Sequence, residues 1–280
     1  MSWLLDAFAS ELTQRALVGG LLAAVTTSVI GTWVVVRGMS FMGDALAHGV
    51  LPGIALAFAW GVDLTLGALV SAAVMVAGIN VVHRRARLPE DTGIGLLFVG
   101  MLGLGVILIS KTDSFAGNLT TILFGDALGV SGEDLIALAV VAVIVLAMTI
   151  AFYRHFLVLS FNEQKARLFG LRPGLAHIAL LSLITISIVG SFQTVGTLLV
   201  FGLLVGPPAT AALLVKRVPT MMATAGAIGV LSVAVGLVVS FHANTSGSAT
   251  MAVIPIVLFF VVLTVKSLRR PAPVAWNAGS

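Results

Sequence analysis

Cysteine does not occur in the 280 residues, tyrosine occurs once, and only 9% of the chain is charged. Each scarcity removes a class of protein. Without thiols there is no disulfide framework, no thiolate cluster, no cysteine nucleophile and no soft-ligand route for Cu(I). With so few charges no water-facing surface can be built, so a soluble domain is excluded. The phosphate-binding pattern GxxxxGK[ST] is also missing: the Lys-Thr pair Lys111-Thr112 follows Ser110, not glycine. Any ATP-driven step therefore belongs to another polypeptide, and the chain is not expected to be an enzyme. HExxH and Gly-x-Ser-x-Gly are absent too, which argues against an intramembrane hydrolase. Met1 to Asp6 lacks the basic n-region of a cleaved signal, so the N-terminus is expected to be retained.

What the chain does contain is apolar: 59% of its residues are hydrophobic and mean hydropathy is +1.14. About 20 helical residues cross a hydrocarbon core of about 30 Å. Runs of that kind fall at 16–36, 43–61, 64–82, 93–110, 134–152, 175–191, 193–214, 220–240 and 249–266. The expectation is an all-α polytopic membrane protein of about nine transmembrane helices, forming a single domain over 1–270. Only Gly190 to Gln193 separates the sixth and seventh runs. Residues 2–15 have an amphipathic pattern that predicts a short interfacial helix. The Pro-containing tail 271–280 is expected to be disordered, and the loop 111–133 either dips into the membrane or lies across its outer surface.

The net charge of +4 does not imply nucleic acid, because the basic residues sit between apolar spans. With the N-terminus outside, the inner segments hold Arg37; Arg84, Arg85 and Arg87; Arg154, Lys165, Arg167 and Arg172; Lys216 and Arg217; and Lys266, Arg269 and Arg270. Only Arg15 and Lys111 of the 15 basic residues then lie outside. The spacing predicts an outside N-terminus and a cytoplasmic C-terminus.

Gly43-Asp-Ala-Leu-Ala-His-Gly-Val-Leu-Pro-Gly53 is the informative stretch. Positions i and i+4 share a helix face, so Asp44 and His48 point together. Ala45, Gly49, Gly53 and Ala57 form a stripe with little side-chain bulk, which admits a neighbouring backbone. Pro52 and Gly53 predict a kink that frees a carbonyl near the pair. Two readings stay open here. Asp44 caps the helix and His48 bonds a backbone carbonyl, or the two are ligands of a divalent cation such as Zn(II) or Mn(II). An acid at the centre of a bilayer costs about 2.5 to 3.5 kcal/mol on insertion scales, which favours the second. Two ligands are few, but a two-fold dimer would double them.

In the seventh span, Gly202-Leu-Leu-Val-Gly206 precedes Pro207-Pro208, predicting a second helix break and an echo of helix two, as an inverted repeat would produce. His242 is expected at the outer mouth, as a helix-ending residue or a gating ligand; His83, His155 and His177 are not assigned to metal. The inner loop around Phe161, Glu163, Lys165, Ala166, Arg167 and Gly170 alternates charge with apolar residues. That pattern predicts a short helix that either docks a soluble partner or touches only lipid.

The run Arg37 to Gly53, the segment Phe161 to Leu171 and the run Val195 to Ala211 together resemble the permease subunits of ABC-3 family importers for zinc, manganese or iron. The resemblance covers nearly the whole chain. It implies a homodimer in the prokaryotic inner membrane, two cytoplasmic ABC ATPase subunits that contact the 161–171 segment, and an extracytoplasmic metal-binding protein. It also implies that Asp44 and His48 line the path and that no cofactor is bound beyond the transported ion. Two departures stand out. Ala47 and Gly49 flank the histidine where the family commonly has Ser and Ala, and His242 to Gly247 lacks the usual acid and proline. The competing functions are a permease for metal chelates of the siderophore or cobalamin type, for which an ionic pair is poorly suited, and an ATP-independent secondary transporter.

Overall fold

The computed structural model describes residues 10–85, 90–110, 130–161 and 173–268, all of them in helices or short connections. The helices are α1 (Glu11–Val36), α2 (Met42–Gly49), α3 (Leu51–Trp60), α4 (Leu64–Arg85), α5 (Glu90–Ile109), α6 (Gly132–Ala151), α7 (Tyr153–Phe161), α8 (Pro173–Val195), α9 (Thr197–Leu214), α10 (Val218–Ala243) and α11 (Gly247–Leu268). Taking α2 and α3 as one crossing, nine stretches among the described residues are long and apolar enough to span a membrane. Each coincides with one of the nine runs read from the sequence.

The central helix is α1, against which α6, α8, α9 and α10 all pack. Its inward residues are small, including Gly19, Gly20, Ala23, Ala24 and Gly31, so neighbouring backbones approach closely. The fully buried Trp33 meets Tyr153 and Phe156 of α7 at ring-centroid distances of 5.6 and 5.7 Å. Because successive spans alternate in direction, Arg37, Arg85, Lys216 and Lys266 gather at one end of the bundle, called here the basic end.

Three boundaries or breaks differ from the sequence expectation and one agrees with it, each for a local reason. Residues 11–15 are the first turns of α1 and not a separate interfacial helix. Ser10 caps that helix by accepting from the Thr13 amide at 3.2 Å, and Glu11 pairs with Arg15 at 2.5 Å across an exposed face. At about 1.5 Å per residue, α1 exceeds the hydrocarbon thickness, which leaves that charged turn beyond it. The remainder of the predicted interfacial segment lies outside the described residues.

The sixth and seventh spans part at Gly196, not within 190–193. Gly196 has φ of 85°, a conformation open to glycine. Gly190 stays helical, and its missing side chain makes room for α6: a Cβ there would stand 2.8 Å from Val141.

Helix two breaks near where it was expected, with the interruption at Val50 and Pro52 in the first turn of α3. The carbonyl of Gly49, at the break, accepts the Ser71 hydroxyl of α4 at 2.7 Å. The small-residue stripe meets α4 as its spacing required. A Cβ on Gly49 would lie 2.1 Å from the Met75 sulfur, and one on Gly53 would lie 2.0 Å from the Gly67 carbonyl oxygen.

The break expected at Pro207 and Pro208 does not occur, and α9 runs through both prolines. They withdraw donors from the carbonyls of Leu203 and Leu204, four residues back. α1 compensates. The Ser28 hydroxyl donates to the Leu203 carbonyl at 3.3 Å, and the Leu204 carbonyl points at Gly31, where a Cβ would be only 2.0 Å away. One carbonyl freed by the proline pair thus gains a donor from α1, and the other is given room by the missing side chain of Gly31.

Candidate metal site

Asp44 lies in the first turn of α2 and His48 in its last, with His48 Nε2 3.3 Å from Asp44 Oδ1. The capping alternative is not realised: Phe41 occupies the N-cap position, and no side chain caps the helix. The two side chains are 33% and 27% exposed, while Ala45, Leu46 and Ala47 beside them are essentially buried. Thus α2 turns its polar stripe outward and its apolar residues into the bundle. Nδ1 of His48 is buried without a hydrogen-bond partner among the described residues.

The spacing suits a shared ion. Two ligand atoms each about 2.1 Å from one metal stand about 3.0 Å apart at a right angle and about 3.4 Å apart at the tetrahedral angle, which brackets the observed separation. No group of three or more His, Cys, Asp or Glu able to hold a metal occurs among the described residues.

Helix α5 completes the surroundings. It runs parallel to α2, and its Phe98 ring lies 5.8 Å from the His48 ring and 6.1 Å from that of Phe41. Asp91, in the first turn of α5, accepts the Phe41 amide at 3.3 Å. Neither Asp91 nor Phe98 was singled out from the sequence. Their seven-residue separation, with Gly105 a further seven along, is the signal that could have found them, since it places all three on one helix face.

His242, near the end of α10, belongs to the opposite end of the bundle, half-buried and edge-on to Phe241 at 5.3 Å. The fold does not bring it to Asp44 and His48. His83 of α4 and His177 of α8 stack at 4.6 Å with planes 19° apart, a geometry in which the ring nitrogens do not converge on one point. The expected ATPase-contact residues Glu163, Lys165, Ala166, Arg167 and Gly170 lie outside the described residues, as do most of the loop 111–133 and the tail 271–280. Phe161 ends α7.

Nine apolar helices among the described residues, one of them broken beside an acid–imidazole pair, define a multi-pass membrane protein. The chain belongs to the ABC 3 transport family, whose profile matches residues 9–266. It is 36% identical to the manganese transport system membrane protein MntC of Listeria monocytogenes, over 89% of this chain and 88% of that one. It is 33% identical to the chelated iron transport system membrane protein YfeD of Yersinia pestis, over 95% and 89%. Among solved structures, PsaBC from Streptococcus pneumoniae in complex with Fab superposes with a TM-score of 0.81 at 29% identity, covering 94% of each chain. The protein is accordingly an integral membrane permease subunit of the bacterial inner membrane.

Proposed function

We propose that this permease imports a divalent metal ion, with manganese or iron ahead of zinc, and that Asp44 and His48 are its ligands along the path. The observation that carries the reading is the 3.3 Å acid–imidazole pair on a partly exposed helix face, in a chain whose relatives are named as manganese and iron transport proteins. A carboxylate facing lipid is costly, so that face is expected to look onto a polar path. A second copy related by a two-fold axis would cover it and bring two carboxylates and two imidazoles together. Coordination by so few protein groups favours release, which transport requires.

Hydrolysis is assigned to separate cytoplasmic ATPase subunits contacting the 161–171 segment, and delivery of the ion to an extracytoplasmic binding protein. The test is uptake into proteoliposomes by the assembled permease, ATPase and binding protein, offered Mn(II), Fe(II), Zn(II) or a ferric chelate. ATP-dependent accumulation of the free ions is expected, and charge reversal at Lys165 and Arg167 should uncouple hydrolysis from it. A relative named for chelated iron favours a second reading, in which the chelate is the cargo. Accumulation of the chelate alone would establish that reading, and uptake without ATP or ATPase would establish a secondary transporter.

Orientation follows from the charge bias, with the basic end cytoplasmic. Cysteines placed at Arg85 and Lys216 should resist an impermeant reagent in intact cells, and one at Asn244 should react. The reverse pattern would invert the molecule.

A further inference from the structure

The contacts between α2 and α5 point to a gate beside the metal pair. From Phe41 to His48 is seven residues and from Asp91 to Phe98 is seven, so on parallel helices each step advances about 10 Å. Asp91 therefore stands level with Phe41, to whose amide it is bonded, and Phe98 stands level with His48. Helical side chains lean toward the helix N-terminus, which at α5 is the basic end. The Phe98 ring, 5.8 Å from that of His48 and 6.1 Å from that of Phe41, therefore lies between the two, and 47% of the Phe41 residue surface is exposed. Farther along the same α5 face, Gly105 abuts Leu51 and Pro52, where a Cβ would lie 3.0 and 3.4 Å away. The face bearing Asp91 and Phe98 is thus the one turned to α2 and α3.

We infer that Phe98, beside the Asp44–His48 pair, and Phe41, one turn nearer the basic end, form an apolar gate on the route from the pair to that end, held closed by the hydrogen bond from the Phe41 amide to Asp91. The inference rests on the proposed role of Asp44 and His48. A ring pair beside a hydrated ion resists its passage because neither ring offers an oxygen or nitrogen to replace the water it would shed. The bond ties Phe41, the residue before α2, to α5, so its loss frees the Phe41 ring while the Asp44 and His48 side chains themselves are unchanged. Asp91 and Phe98 act here as positioning and gating residues.

The experiment uses the assembled transporter in proteoliposomes loaded with Mn(II), without ATP, and follows escape of the ion with an external chelating dye. Wild type and Asp91→Asn are expected to retain the ion, since asparagine keeps an acceptor oxygen. Phe98→Ala and Asp91→Ala are expected to lose retention, and Phe98→Leu, which keeps apolar bulk, to leak less than Phe98→Ala. Retention in both alanine variants would overturn the gate, whether or not their ATP-driven uptake is impaired. Asp91→Asn leaking as fast as Asp91→Ala would overturn the hydrogen-bond latch. Asp44→Asn, measured alongside for uptake, reports on the metal pair separately: undiminished uptake there would remove the ligand assignment, whereas tight alanine variants would remove the gate alone.

Discussion

Uptake of manganese, iron and zinc by the assembled transporter is expected to fall to background in Asp44→Asn and in His48→Ala. Asparagine matches aspartate in size and hydrogen-bonding reach but cannot offset the charge of a divalent ion. The helical role of Asp44 is too small to account for such a loss. It makes no capping bond, and a carboxylate in a first turn contributes about 0.3 to 1 kcal/mol through the helix dipole. A variant that inserts, assembles with its ATPase and hydrolyses ATP at the basal rate should therefore still fail to move metal. Alanine at 48 preserves the helix pattern and removes one proposed ligand and the ring contact with Phe98. Near-normal uptake by assembled Asp44→Asn would take the central charge out of the mechanism.

Gly31→Ala is expected to have the largest effect on folding. The added Cβ would meet the Leu204 carbonyl oxygen at 2.0 Å and its carbon at 2.9 Å. Both are main-chain atoms, so no side chain can rotate away and α1 must part from α9. That separation also removes the surroundings of the carbonyls that Pro207 and Pro208 leave without donors. Overpacking a core costs about 1 to 3 kcal/mol, and stranding a buried acceptor costs about 1 to 3 kcal/mol more. Gly38→Ala is the control: its φ of +69° is strained for alanine, at about 1 to 2 kcal/mol, but nothing lies within 4 Å of the new Cβ. Detergent-solubilised Gly31→Ala should have a midpoint of thermal unfolding well below that of Gly38→Ala, and a lower membrane yield. Equal midpoints would mean that α1 and α9 are not packed backbone to backbone.

The acid–imidazole pair was legible because its information is local. Four-residue spacing on a helix brings two side chains together whatever the rest of the chain does, and the apolar surroundings make an acid and an imidazole conspicuous. The small-residue stripe was legible for the same reason, although its partner, the Gly67 to Met75 face of α4, was not. Asp91 and Phe98 were missed because they stand about fifty residues away, and nothing in their own segment marks them until α5 is laid beside α2. His242 was expected at the outer mouth, and it stands in the last turn of α10. Chain direction alone carries that placement, which sets it at the end of the bundle away from Asp44 and His48.

By itself the sequence determined the membrane solution, the nine crossings and the facing of Asp44 and His48, because hydrophobic length and helical period act within single segments. The tertiary structure decided where helices end and what their irregularities do. Proline alone predicts a break, yet α9 continues through two of them, with Ser28 of α1 donating to one freed carbonyl and Gly31 leaving room for the other. Glycine alone predicts freedom, yet Gly190 remains helical and Gly196 does not, since one admits Val141 and the other turns the chain between α8 and α9. A backbone group left unpaired in hydrocarbon costs several kcal/mol, so the fate of each irregular residue depends on which neighbour reaches it, and that neighbour is set by packing.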